Sequence, residues 1–286
     1  MSDWLDWPLD EPLEAGAPGA VASENFAIDD AFQPPTPGLA RLAYDSAVER
    51  ATVTATSAAP LRPANNLKTR DTYQTWRATA PEPVVTVLFA APELINYVGI
   101  ARHNLGSLGI TALVEIETAG DGWLEVAVLQ PDHDGPVMVP IAEVLAVNLR
   151  VSFYGYEIPT LAVLMAGKAV IMPRPLRATM QPVFGSRDTT VTPQISELGQ
   201  LLGSVVVRNG VNVSPTWNNL SRDFYNGTLR FLAREMPGRA VMLMWQPLEH
   251  PDEVVFGTVS GDATIAHIPR SARYSFGFSL SGVAPS

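Results

Sequence analysis

The side chains best suited to metal or acid–base chemistry are few and scattered. Asp132-His133-Asp134 is the most ligand-like cluster, an imidazole between two carboxylates in a polar loop that ends in Gly135-Pro136. A metal there would need further ligands from elsewhere in the chain, and a solvated turn accounts for the same residues. His103 follows the apolar stretch Tyr97–Arg102 and precedes Asn104. It could act as a base, or it could simply bond to loop backbone; no serine or carboxylate partner is pointed out. Glu249-His250-Pro251-Asp252-Glu253 reads as a proline-bracketed acidic turn. Glu115 and Glu117 lie two apart, so they share one face of a strand, and the wet face of a half-buried strand explains them more simply than an acid/base pair. The four histidines, His103, His133, His250 and His267, are never three or four residues apart, so no compact helical metal pair exists. Phosphate-loop, dinucleotide, nucleophile-elbow and zincin motifs are absent. These observations predict no catalytic residue, no cofactor and no metal: a protein that is not an enzyme.

Aromatic side chains are the other recognition device. Trp76, Trp123 and Trp217 fall where loops meet strands. A loop-borne tryptophan can stack on a sugar ring, although anchoring a core explains most tryptophans equally well. Arg62, Arg70, Arg77 and Arg102 are loosely grouped, but nearby acids balance them, so a phosphate groove is not supported.

The elements that must position these residues are strands. The chain has 286 residues, 47% hydrophobic and 17% charged, enough for two domains with sizeable cores. Its net charge of −10 argues against a nucleic-acid partner. It has no cysteine, which excludes disulfides and thiolate chemistry. The start, MSDWLDWPLDEPLE, lacks the pattern of a signal peptide. The longest apolar stretch, Ile158–Met172, is interrupted by Lys168 and falls short of the roughly 20 residues that span a bilayer, so a soluble protein without a membrane anchor is expected. The excess of Arg over Lys carries little functional weight.

Residues 1–40 hold eight acids, no base and six prolines. Proline fixes φ and removes a donor, so residues 1–45 read as an extended acidic arm. Trp4, Trp7, Phe26 and Phe32 suggest an arm that packs on a neighbouring subunit rather than a disordered leader. On that reading, deleting residues 1–40 leaves the rest folded.

From residue 46 the period is two. Val85, Val87 and Phe89 alternate with polar or outward positions, as do Val114 and Ile116, and Leu145, Val147, Leu149, Val151 and Phe153. Such alternation marks antiparallel sheets with one wet face. Turn signals at Gly106 and Gly109, at Gly120-Asp121-Gly122 and at 132–136 punctuate a β-sandwich over residues 46–175. After Pro173-Arg174-Pro175, residues 176–286 read as a second β-rich domain. Strands are expected near 189–196, 204–208, 240–245, 254–260 and 274–282. One helix is expected at about 220–235, capped by Asn218, Asn219 or Ser221 and stopped by Met236-Pro237-Gly238.

Residues 51 to about 172 resemble a discoidin-like (F5/8 type C, galactose-binding-like) jelly-roll β-sandwich. The matching order is Ala64-Asn65-Asn66-Leu67, Asp71 with Trp76, Val84–Phe89, Tyr97 to Asn104, Asp121-Gly122-Trp123 and Leu145–Phe153. The stretch GIARHNLGSLG, the run AVLMAGKAVIMPRPL and the ending YSFGFSLSGVA look similar to tailed-bacteriophage tail-tip or baseplate proteins of the distal-tail or minor-tail type. That resemblance implies a C-terminal tail-hub-like domain and a structural role in a virion tail. The protein would form a homo-oligomeric ring, six copies being one candidate number, that links the tail tube to hub or fibre proteins after assembly in the host cytoplasm. The alternative is a carbohydrate-binding module for host-surface glycans, with Trp76, Arg102, His103 and Asn104 on the glycan-facing loops. Family members often hold calcium in those loops. No dense acidic loop here fixes one, and Asp71 could supply a single ligand at most.

Overall fold

A computed structural model describes residues 25–176, 182–269 and 272–283. Trp4 and Trp7 lie outside them. The first part of the chain supplies β1 (Phe26–Ile28), β2 (Arg41–Ala43), β3 (Thr52–Ala55), β4 (Trp76–Arg77), β5 (Val84–His103), β6 (Thr111–Thr118), β7 (Gly122–Leu129), β8 (Val137–Tyr154), β9 (Thr160–Gly167) and β10 (Val170–Ile171). The second part supplies β11 (Arg187–Ile195), β12 (Leu201–Val213), β13 (Thr216–Leu220), the helix α1 (222–235), β14 (Ala240–Met244), β15 (Val254–Ile268) and β16 (Arg273–Val283). The protein is mainly β; the described residues form two eight-stranded sheets, and every pairing among them is antiparallel.

The first sheet runs β1-β7-β6-β8-β5-β9-β4, with β3 also on β5. It folds into a sandwich because β5 and β8 are long, at 20 and 18 residues, and bend together. Their pairing breaks between Leu88 and Glu93 and again between Ile95 and Tyr97, and such irregularities bend and twist a strand. Before the breaks β5 pairs with β3; after them it pairs with β9. The same irregularity shifts the inward phase of β8. Leu149, Val151 and Phe153 face inward as the alternation predicts, but Ala146 is buried and Leu145 is exposed. A single extra residue exchanges the two faces of a strand.

The second sheet runs β10-β2-β14-β15-β16-β12-β11, with β13 on β16. β14 and the start of β15, Val254–Phe256, are buried on both faces. Val241, Leu243 and Val255 enter a core shared with Trp217, Phe276 and the helix. The alternate residues Met242, Met244, Val254 and Phe256 enter the core of the first sheet. Double burial explains why the runs AVMLM and VVF lack polar alternation. Gly99 of β5 sits under this contact: a Cβ there would fall 2.5 Å from Met242 Sδ.

The expected arm is corrected over its described part. Phe26 is buried in this chain's own core and Phe32 packs against it, so neither reaches for a neighbour. β1 pairs with β7, and β2 lies between β10 and β14. Three-residue strands can sit among prolines because Pro34, Pro35 and Pro37 fall in the connection between them. The strands β2 and β10 therefore belong to the second sheet although both precede residue 176. Arg41 of β2 is fully buried. Among the described residues its guanidinium donates to Thr36 O at 3.5 Å, and desolvation lowers its pKa to about 10.

The helix begins where the sequence places it. Ser221 Oγ accepts from Phe224 N at 3.1 Å, and Gly238 takes a φ of 72° just past the end. Residues Tyr225–Leu229 form a π-turn, and Asn226-Gly227 lies inside it. No helix among the described residues is long and apolar enough to cross a membrane.

Candidate functional site

One end of the first sheet carries a cleft of about 530 Å³. Arg62, Thr72, Tyr73, Thr75, Arg102, His103, Asn104, Asp134 and Thr160 line it. Five separate segments supply these residues, and backbone-directed bonds hold the segments together. The 71–75 turn is shaped by Asp71, whose Oδ1 accepts from Tyr73 N at 2.7 Å. This places the Tyr73 ring in water, 91% exposed. Asn66 Nδ2 donates to Thr75 O at 2.9 Å from the other side.

Arg102 is exposed at the end of β5 and has a φ of 54°. The left-handed region costs a non-glycine residue about 1 kcal/mol or more, and strain of this kind gathers at ligand-binding sites. Arg62 and Arg102 make no ion pair among the described residues, and Asp134 accepts only from Ser107 N, at 2.9 Å. Two guanidinium donors, one carboxylate acceptor and an exposed ring thus line a single cleft.

His103 and Asn104 line the wall, but their polar atoms are engaged. His103 Nε2 lies 2.6 Å from Gly135 O, and its Nδ1 accepts from Leu105 N at 3.3 Å. The ring is therefore the neutral tautomer with its proton on Nε2, because Nδ1 already faces a donor. Burial lowers its pKa from 6.5 to about 4, outweighing the attraction of Asp134 for the protonated form. Asn104 Nδ2 donates to Ile158 O at 3.1 Å, while its Oδ1 accepts from Thr160 N at 2.8 Å. Both side chains position loops rather than present free groups.

The expectation for Trp76 is overturned. Its ring is fully buried, lies 5.5 Å from Phe153, and donates through Nε1 to Ser57 O at 3.1 Å. A large apolar ring with a satisfied N–H gains more from the core than from the loop surface. Trp217 is likewise buried against Phe276 and Phe278. The Arg150 guanidinium covers Trp123 at 4.4 Å. Glu115 also departs from its expected wet face. It is buried and paired with Arg150, with Ser152 Oγ at 3.3 Å.

Tyr73, Arg62 and Asp134 were not singled out as glycan-facing by sequence reasoning. The Asp-x-Tyr turn was a local signal for Tyr73. Nothing local could bring residues 62, 73, 102 and 134 to one place. Among the described residues, no three metal-binding side chains cluster, and Asp71 is engaged in its turn.

A second cavity of about 430 Å³ lies between Tyr44, Asn96, Lys168 and the helix residues Phe224 and Phe231. Its charges are already consumed. Lys168 pairs with Glu143 at 2.6 Å and Asp45 with Arg50 at 3.1 Å, while the Asn96 amide is used twice by Ala169. The Tyr73–Arg102 cleft is the better candidate.

The neutral state of His103 predicts a pH dependence. The unfolded chain takes up a proton on this ring below pH 6.5, whereas the folded chain resists until about pH 4. Stability is therefore complete above pH 6.5 and falls as pH drops through that window, by up to about 3 kcal/mol. Urea denaturation at pH 7 and pH 4.5 measures the loss. His103→Gln, which can still donate to Gly135 O, should remove most of it.

No protein-family model matches the chain, and no curated protein matches it. Solved structures do. A family 32 carbohydrate-binding module from Clostridium perfringens, in complex with GalNAc-β-1,3-galactose, is 12% identical, with a TM-score of 0.39 over 43% of this chain and 100% of that one. The family 32 module of NanJ from C. perfringens, in complex with galactose, is 14% identical, with a TM-score of 0.38 over 44% of this chain and 98% of its own. A chitosan-binding module from Paenibacillus sp. IK-5 is 13% identical, with a TM-score of 0.38 over 43% and 99%. These structures lend no support to the tail-tip reading of the sequence.

Proposed function

We propose that the protein binds a saccharide, without turning it over, in the cleft formed by Tyr73, Arg62, Arg102 and Asp134. One observation carries this reading: an aromatic ring held 91% exposed in a cleft with charged groups that have no ion-pair partner among the described residues. Sugars present both surfaces that such a site needs. The C–H face of a pyranose ring is apolar and lies flat on an aromatic ring. The hydroxyls around its rim both donate and accept, so guanidinium donors and a carboxylate acceptor satisfy them in charge-assisted bonds. The cleft holds one carboxylate, Asp134, whereas glycoside cleavage ordinarily uses two. The Asn104, Asp71 and His103 bonds fix the loops beforehand, which lowers the ordering cost of binding.

Titration calorimetry with saccharides selected on a glycan array tests the reading. Tyr73→Ala and Arg102→Ala should each weaken binding by about tenfold or more, corresponding to about 1.4 kcal/mol or more. Both side chains are exposed, so their loss should leave the unfolding midpoint unchanged. Affinity that survives both substitutions would place the sugar elsewhere.

A further inference from the structure

The strands β11 and β12 pair along nine positions, from Arg187 opposite Val211 to Ile195 opposite Leu201. Only Gly210–Val213 at the base of β12 pair with β16. Among the described residues, 189–207 therefore project as a two-stranded hairpin with no third strand beside them, and β11 is an edge of the second sheet. An isolated hairpin is marginally stable in water. This one is also apolar. Val191, Ile195, Leu198, Leu201, Leu202, Val205, Val206 and Val207 are between about half and nine-tenths exposed. Directly opposed residues share a face, so Val191 with Val206 and Ile195 with Leu201 lie on one side, with Pro193 opposite Ser204 between them, while Val205, opposite Thr192, lies on the other; the apolar strip therefore wraps both sides of the hairpin.

We propose that this strip is a self-association surface: the hairpin of one chain packs against the same hairpin of a second copy, the two clasping each other. Two quantities point to a copy of this chain. The eight side chains, on both faces and the turn of the hairpin, expose on the order of 900 Å² of surface, above the few hundred that monomers usually carry. A copy that covers both faces buries an area close to the ~800 Å² each partner buries in a stable interface. Charge points the same way. Eight acids and no base lie in residues 1–40 of a chain with net charge −10. Residues 189–207 carry one charge, Glu197. Two acidic chains can therefore meet here without placing like charges against each other, and a strip that is its own complement closes under two-fold symmetry. A strongly charged partner would find nothing on the strip to pair with. The proposal is independent of the saccharide reading, since no cleft residue lies on the hairpin.

Sedimentation velocity on the full chain tests it, using wild type, the double variant Ile195→Lys/Val206→Lys, and Tyr73→Ala. Wild type and Tyr73→Ala should sediment as dimers or larger assemblies at micromolar concentration. The lysine variant should be monomeric, with an association constant at least about 100-fold lower and an unchanged circular dichroism spectrum. A wild-type chain that stays monomeric at tens of micromolar overturns the proposal. So does a folded lysine variant that associates as strongly as wild type.

Discussion

Removal of residues 1–40 should strip the protein of a large part of its stability, contrary to what an arm on a neighbouring subunit would imply. The deletion takes away β1, whose Phe26 and Ile28 are buried, and leaves the edge of β7 unpaired. Those two side chains alone account for roughly 3–6 kcal/mol of burial, a large share of an ordinary domain's net stability. It also removes Asn25, whose backbone carbonyl accepts from Gln130 N at 2.7 Å and whose side chain accepts from Asp132 N at 2.9 Å. The loop that carries Asp134 to the cleft therefore loses its outer anchor. Urea denaturation of the truncated chain should show a much lower midpoint, and Phe26→Ala should reproduce about 3 kcal/mol of the loss. An unchanged midpoint in both would mean that β1 adds nothing to the fold.

Gly106→Ala should damage stability and the cleft together. A Cβ at residue 106 would stand 2.5 Å from the backbone N, C and O of His133. Backbone atoms cannot rotate away as the end of a side chain can, so the 132–135 loop has to move. That loop supplies Gly135 O to His103 and the Asp134 carboxylate to the cleft. The expected cost is about 2–3 kcal/mol, with saccharide affinity about tenfold weaker. Gly120→Ala is the matched control, because nothing lies within 4 Å of its added Cβ and its φ is not positive. Denaturation and calorimetry on the two variants measure both effects. Equal behaviour would show that the close approach is not a constraint.

Much of the fold was legible along the sequence, for local reasons. Val85 and Val87 turn inward and Ser221 caps the helix because alternation and capping are set by neighbouring residues. The antiparallel arrangement followed from the same alternation. Other features depended on distant partners. Phe26 looked available to a neighbour because its strand, β7, lies a hundred residues away. The phase change around Ala146 comes from irregular pairing with β5, which leaves no mark in β8 itself. The unalternated runs AVMLM of β14 and VVF of β15 do not say which two cores their faces serve. At the cleft, the sequence grouped Arg102 with His103 and Asn104 on one segment. The roles of those two neighbours were not legible there, because they are defined by carbonyls and amides at residues 135, 158 and 160. Trp76 failed as a glycan contact because residue type alone does not say whether an aromatic faces a loop or a core.

The most direct test of the central claim is residue-resolved NMR on the full chain, titrated with the tightest saccharide from a glycan array. The account predicts saturable shift changes confined to residues 62, 72–75, 102–104, 134 and 160, and Arg102→Ala needs at least about tenfold more saccharide to reach the same saturation. No saccharide producing any shift at millimolar concentration, or shifts that cluster on another face, would contradict it.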